Sequence, residues 1–191
     1  MVAKNEILSL PEGDFVAPIL KFEESDRPIL YKIYKDWRAL CDTLATVGAR
    51  GVNLPEGLSE SAFCLEMDAV RSADKVKTKG QKVDTSFDAY NMNTKKRIQI
   101  KACSVLPDLT SFGPSTTWDE IYFMDFYKDG LWDGKFDIYL ITNQDIYTAK
   151  VNKDQTYRDQ QAEGRRPRFS IYEKIIKVKG LAPVARGNLN P

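Results

Sequence analysis

The stretch DAYNMNTKKRIQIKA, Asp88 to Ala102, places a turn-forming middle between two segments in which apolar and polar residues alternate. With Asn93-Thr94 as the central turn residues of a hairpin, Asp88 falls opposite Gln99 and Ser86 opposite Lys101. Those four form one polar face. The other face collects Phe87, Ala89, Ile98 and Ile100, an inner surface against which helices can pack. Asn93 tolerates the left-handed backbone of a tight turn, whereas Thr94 is a poor fit there. Asp84 shares the polar face but lies about 13 Å from Asp88 at strand rise, too far to meet Gln99 unless the strand bends. A half-buried strand with one wet face gives the same alternation, so the rest of the chain must help to choose.

Upstream, Ser25 and Asp26 are candidate caps and Pro28 sits in a first turn. Leu30, Ile33, Trp37, Leu40, Leu44 and Val47 then recur at steps of three and four until Gly48 or Gly51. This predicts an amphipathic helix whose stripe faces a core. After the turn-rich GVNLPEG, a second helix is expected with Ser59 or Ser61 as its cap and Phe63, Met67 and Val70 on one side. Glu60 falls in its first turn, where the helix dipole alone would favour an acid. Downstream, VDTSFDAY, RIQIKACSV, EIYFMDFY and FDIYLITN read as strands, with the KDGLWDGK turn between the last two. RFSIYEKIIKV fits either strand or helix, and the tail from Leu181 reads as irregular. The expected architecture is an α/β (α+β) domain: a central mixed β-sheet flanked by helices, spanning residues 1–180, with 181–191 as the tail.

The 191 residues suit one domain with a sizeable core, and a 42% hydrophobic, 29% charged composition is ordinary for a globular chain. No apolar run approaches the roughly 18 residues of a membrane span, and MVAKNEILSLPEGD lacks a signal-peptide core. A cytoplasmic location is expected. Cys41, Cys64 and Cys103 are far apart and read as buried thiols. Histidine is absent, which excludes serine–histidine and cysteine–histidine hydrolases and histidine-ligated metal sites. Any chemistry must run on carboxylates, lysine, amide oxygens and hard cations. The net charge of +1 conceals alternating blocks: −5 over residues 1–70, +6 over 71–101, −5 over 102–157 and +5 over 158–191. Separate solvated faces would explain these blocks; two basic blocks on one side would suit a polyanion such as DNA.

An aspartate, neighbouring oxygens and a lysine on one face can serve phosphodiester hydrolysis. A hard divalent cation held by Asp88, Gln99 and the Ile100 carbonyl would lower the pKa of a water and offset charge developing on the phosphate. Lys101 would orient or deprotonate the water, or neutralise the transition state.

SFDAY…RIQIKA resembles the active-site hairpin of the PD-(D/E)XK nuclease superfamily, in which an aspartate precedes a Glu-x-Lys strand. LPEGLSE, DLTSFGP and GRRPRFSI are similar to phrases in small type II restriction endonucleases and extend the resemblance from Asn53 to about Ile171. The resemblance implies Asp88 as first acid, Gln99 in the usual glutamate place, Lys101 as the lysine, and an acid from the preceding helix. Glu60 is the first choice for that acid and Glu66 the second. Gln99 departs from the pattern: its amide oxygen can ligate Mg²⁺ but brings no charge. Also implied are one or two Mg²⁺ ions, cleavage of double-stranded DNA to 5′-phosphate and 3′-hydroxyl ends, and a homodimer that cuts both strands of a symmetric site. A methyltransferase of the same restriction–modification system is implied too.

TYRDQQAEGRRPRFSIYEK concentrates Arg158, Gln160, Gln161, Arg165, Arg166 and Arg168, residue types that read guanine and adenine edges in the major groove. Phosphate contact alone, or salt bridges to Asp159 and Glu163, would equally use the arginines. Lys79 and Lys82, with Lys75 and Lys77, are expected on the DNA backbone, and Thr110 and Ser111 follow the catalytic strand where they could touch DNA. Tyr122, Phe123, Phe126, Tyr127, Phe136 and Tyr139 suit core packing better than base stacking. Three other functions stay open on sequence: a structure-specific nuclease such as a junction resolvase or repair enzyme, a non-catalytic DNA-binding module favoured by Gln99, and a protein-interaction domain.

Overall fold

The chain begins with a long hairpin, β1 (Val2–Leu10) and β2 (Gly13–Lys21), closed at Leu10↔Gly13. Gly13 has φ +133°, a backbone that L side chains rarely adopt. The structure, a computed structural model, describes residues 1–72, 87–114 and 116–190. Two helices follow the hairpin, α1 (Arg27–Thr46) and α2 (Glu56–Glu66), and then the short strand β3 (Val70–Ser72). Strands β4 (Ala89–Asn91) and β5 (Lys96–Cys103) form the hairpin expected from sequence. The ribbon strand β6 (Thr110–Ser111), β7 (Glu120–Asp125) and β8 (Lys135–Ile141) come next. Helices α3 (Asn143–Thr148) and α4 (Tyr157–Ala162) lead to β9 (Arg168–Phe169). A π-helical turn, Tyr172–Ile176, runs into α5 (Lys177–Lys179), and β10 (Ala185–Asn188) ends the fold.

Among the described residues, eight strands form one mixed sheet in the order β1-β2-β3-β4-β5-β7-β8-β10. Among the described residues only the central β5–β7 pair is parallel, and the other pairings in the sheet are antiparallel. β6 and β9 make a separate two-stranded ribbon, Thr110↔Phe169 and Ser111↔Arg168. One face of the sheet buries Ile98, Ile100, Tyr122 and Met124 against Leu30, Tyr34 and Trp37 of α1 and Leu58, Ala62 and Phe63 of α2. The opposite face buries Ile121, Phe123, Tyr139 and Ile141 against Ile146, Tyr157 and the C-terminal Ile171, Ile175 and Ile176. A third cluster joins Leu8 and Ile19 of the first hairpin to Val70, Phe87 and Tyr90. The mixed sheet flanked by helices is therefore as expected, and the aromatic residues Phe123, Phe126 and Phe136 are fully buried. Cys64 and Cys103 are buried free thiols whose burial pushes their pKa well above the ordinary range, and Cys41 is also buried and unpaired. No helix among the described residues is long and apolar enough to cross a membrane.

Several local expectations change. Helix α1 has Pro28 in its first turn and ends before Gly48 (φ +70°), but its buried residues are Leu30, Tyr34, Trp37 and Cys41. Ile33, Leu40 and Val47 are exposed because the sheet contacts the helix about 100° away from their stripe. Helix α2 starts at Glu56 with Pro55 as its cap. Ser59 and Ser61 lie inside it and bond back to the Glu56 and Gly57 carbonyls, so Glu60 belongs to the second turn; Val70 lies beyond the helix, in β3. The tail does not stay irregular: Ala185–Asn188 pairs with β8 as an edge strand. RFSIYEKIIKV divides, its first two residues as strand and most of the remainder as helix.

Candidate active site

The β4–β5 register is the one expected: Ala89↔Ile98, Tyr90↔Arg97 and Asn91↔Lys96. The turn differs. Met92–Lys95 form a four-residue loop in which Lys95, not Asn93, takes positive φ (56°). The Asn91 side chain accepts the Asn93 and Thr94 N–H groups at 2.9 and 3.0 Å, and Lys95 N–H bonds to the Asn91 carbonyl at 2.8 Å. A four-residue loop has the same centre as a two-residue one, so the register survives. At Asp88 the backbone bends: its N–H goes to the Ile98 carbonyl at 2.9 Å, and Phe87 leaves the Ala89 face to pack on Tyr90. Ser86 and Asp84 lie outside the described residues.

The bend turns the Asp88 carboxylate onto β5. Its Oδ2 accepts the Ile100 N–H at 2.7 Å and a hydrogen bond from Gln99 Nε2. Gln99 is 3% exposed, and its Oε1 is buried without a partner. Burial pushes the Asp88 pKa up to about 7; the Ile100 N–H and Lys101 oppose the shift, while Glu60 and Glu56 add to it. A cleft of about 430 Å³ opens beside this hairpin and is lined by Asp88, Ile100, Lys101, Glu60 and Glu56. The Lys101 ammonium lies 5.6 Å from the Phe112 ring centroid, over its face.

Helix α2 brings Glu60 to the cleft and sends Glu66 elsewhere. Glu66 pairs with Arg27 at 2.8 Å near the start of α1. Glu60 pairs with Arg71 of β3, and its pKa is raised by burial, with Arg71 opposing. Sequence reasoning missed Arg71 and Glu56. Arg71 had no signal beyond opening a basic block, and Glu56 stood in a phrase read as a turn.

The oxygens these residues can offer are the carboxylates of Asp88 and Glu60, the Ile100 backbone carbonyl and, once the Gln99 amide turns, an amide oxygen that lacks a protein donor. This set fits a hard divalent cation. No cluster of three or more carboxylates or thiols poised for a metal is present among the described residues, so a cation here would depend on Gln99 and the Ile100 carbonyl as well.

The ribbon of β6 and β9 forms another wall of the cleft, through Ser111 and Arg168, both exposed. Asp108 fixes it: the carboxylate accepts from Thr110 Oγ1, Ser170 Oγ and the Ile171 and Tyr172 N–H groups at 2.5–3.1 Å. Thr110 is thus buried with its hydroxyl on Asp108. Gln160 is also buried and donates to Gln155, and Gln161 donates to Tyr157. Thr110 and Gln160 are thus buried and Gln161 half-buried, each with an internal hydrogen bond, while Thr110 also lines the cleft. Arg158 stacks over Tyr147 at 4.8 Å and Arg165 pairs with Glu163 at 3.0 Å, while Arg166 is exposed. Lys75, Lys77, Lys79 and Lys82 lie outside the described residues.

Residues 22–178 match the family model described as Bsp6I restriction endonuclease. The chain is 35% identical over 179 residues to the type II restriction enzyme Bsp6I of Bacillus sp. (strain RFL6), a match covering 92% of this chain and 93% of that enzyme. No solved structure matches significantly. A cleft lined by Asp88, Glu60 and Lys101 beside a hairpin of the expected register, in a chain related over nearly its whole length to a type II restriction enzyme, makes this protein a member of the Bsp6I family of type II restriction endonucleases.

Proposed function

We propose that the protein cleaves both strands of duplex DNA at a specific sequence in a Mg²⁺-dependent reaction, leaving 5′-phosphate and 3′-hydroxyl ends. The observation that carries this reading is the single cleft shared by Asp88, Ile100, Lys101 and Glu60, with Gln99 directly behind. Asp88, Glu60, the Ile100 carbonyl and Gln99 Oε1 would hold the cation. When bound, it supplies positive charge beside the attacked phosphate and makes a nearby water easier to deprotonate. Gln99 would turn its amide so that oxygen replaces nitrogen towards Asp88, which also ends the isolation of Oε1. Lys101, whose ammonium is placed over the Phe112 ring, orients the water and offsets charge on the phosphate oxygens. Ser111 and Arg168 hold the DNA against the cleft, and Arg166 reaches outward from the same segment.

Two copies related by a two-fold axis would place one cleft on each strand of a symmetric site, so a homodimer is part of the proposal. The test is incubation of the protein with plasmid DNA with and without Mg²⁺, followed by sequencing of the ends. Discrete fragments with uniform 5′-phosphate ends, formed only with the cation, are expected. Cutting confined to branched DNA would replace this reading with a structure-specific nuclease, and binding without cutting would reject catalysis.

A further inference from the structure

We propose that Arg71 is a positioning residue for the cation site: its guanidinium holds one oxygen of Glu60 and leaves the other for the cation. The inference deepens the function proposed above and rests on its assignment of Glu60. Arg71 Nε donates to Glu60 Oε2, and no hydrogen bond to Oε1 is formed among the described residues. Two features place Arg71 between β4 and the start of α2. It pairs with Ala89 across the β3–β4 ladder, so it stands beside the residue that follows Asp88. Its Nη2 lies along the start of α2, where Gly57 has no side chain; a Cβ at Gly57 would sit 4.0 Å from that nitrogen. The Glu60 side chain is 14% exposed and that of Arg71 32%, so the pair is shielded from solvent on the acid's side.

A glutamate has three rotatable bonds and would otherwise sample several directions. A planar guanidinium on Oε2 fixes the carboxylate plane and thereby the direction of Oε1. Groups that orient a metal ligand in this way typically contribute about 10- to 100-fold in affinity. The contrary role has the opposite sign. If Arg71 were only a counter-charge competing with the cation for Glu60, removing it would tighten binding.

The experiment is calorimetric titration of Mn²⁺ into the full-length protein without DNA, for wild type, Arg71→Met, Arg71→Lys, Glu60→Gln, Glu60→Gln/Arg71→Met and Asp88→Ala. Arg71→Met is expected to weaken binding on the order of 10-fold, Arg71→Lys to recover part of the loss, and Glu60→Gln to make the Met change silent. Equal or tighter binding by Arg71→Met, or the same loss on the Glu60→Gln background, overturns the role of Arg71. If circular dichroism shows Arg71→Met unfolded, Arg71→Lys decides: wild-type affinity overturns the proposal and an intermediate loss supports it. Wild-type affinity in Asp88→Ala overturns the cation site itself, so the two failures are distinguishable. In cleavage assays Arg71→Lys should need more Mg²⁺ for half-maximal rate while nearly keeping the saturated rate.

Discussion

Gln99 Nε2 and the Ile100 N–H both donate to the same oxygen of Asp88, while Gln99 Oε1 lies buried without a donor. Without a cation, the amide nitrogen is what makes this contact favourable. Glutamate at this position would set a second buried carboxylate against Asp88, a contact tolerated only when the pair takes up and shares a proton. Gln99→Glu should therefore lose roughly 2–4 kcal/mol of stability in chelator and regain much of it when Mg²⁺ is added. Equal melting temperatures for variant and wild type in chelator would contradict this.

Asp88→Asn and Lys101→Ala should each slow cleavage by about 10²- to 10⁴-fold while leaving folding and duplex affinity close to wild type. Asparagine keeps an acceptor for the Ile100 N–H, so the Asp88 change removes charge with little structural cost. Normal turnover by either variant would reject the site. Single-turnover rates with circular dichroism and gel-shift controls supply the measurement.

The pH dependence has a definite sign. Burial raises the Asp88 pKa to about 7 in the folded protein, against about 3.9 when unfolded. Across that window the folded state binds more protons, so stability from this group is full below the lower value and falls as pH rises. Cation-free wild type should thus lose on the order of a few kcal/mol relative to Asp88→Asn between about pH 4 and pH 7, with little further change above. Urea unfolding in chelator across this range tests it, and a pH-independent difference would be the contrary result.

Arg168, opposite Ser111 on the ribbon, lines the cleft, so Arg168→Ala should weaken duplex binding and reduce its salt slope by about one. Arg166→Ala should loosen sequence choice or weaken binding. Unchanged cutting patterns and salt responses would remove either residue from the interface.

Gly187 faces Phe136 across the β8–β10 pair, and a Cβ there would fall 2.1 Å from the ring. Phe136 is fully buried and stacked on Phe126 at 4.5 Å, so the ring has nowhere to retreat. Gly187→Ala should cost about 1–3 kcal/mol or more, read as a lowered Tm; an unchanged Tm would show that β10 shifts freely.

The β4–β5 register was legible because the core demands one face, and a slip of one residue would turn Ile98 and Ile100 away from α1 and α2 and put Gln99 and Lys101 in their place. The loop was not, since Asn91 sets it through its side chain while the unusual φ falls on Lys95. In α1 two apolar stripes share one helix, and only the position of the sheet chooses Tyr34 and Cys41 over Ile33 and Leu40. The β1–β2 hairpin went unread, and the short β10 gains its identity from pairing with β8. That Asp88 and Lys101 meet at one cleft could be read from spacing; the internal hydrogen bonds of Thr110 and Gln160 could not, because their partners Asp108 and Gln155 are set by loops.

With Cys64 on the buried side of α2 and Cys103 at the end of β5, both buried and poorly ionised, the chain carries its own reporters of opening. A thiol reagent should modify them faster in molecules whose helix or strand has come away, since burial holds back both access and the reacting thiolate. Alkylation rates at Cys64 and Cys103 would then time separate breathing motions on the two faces of the sheet.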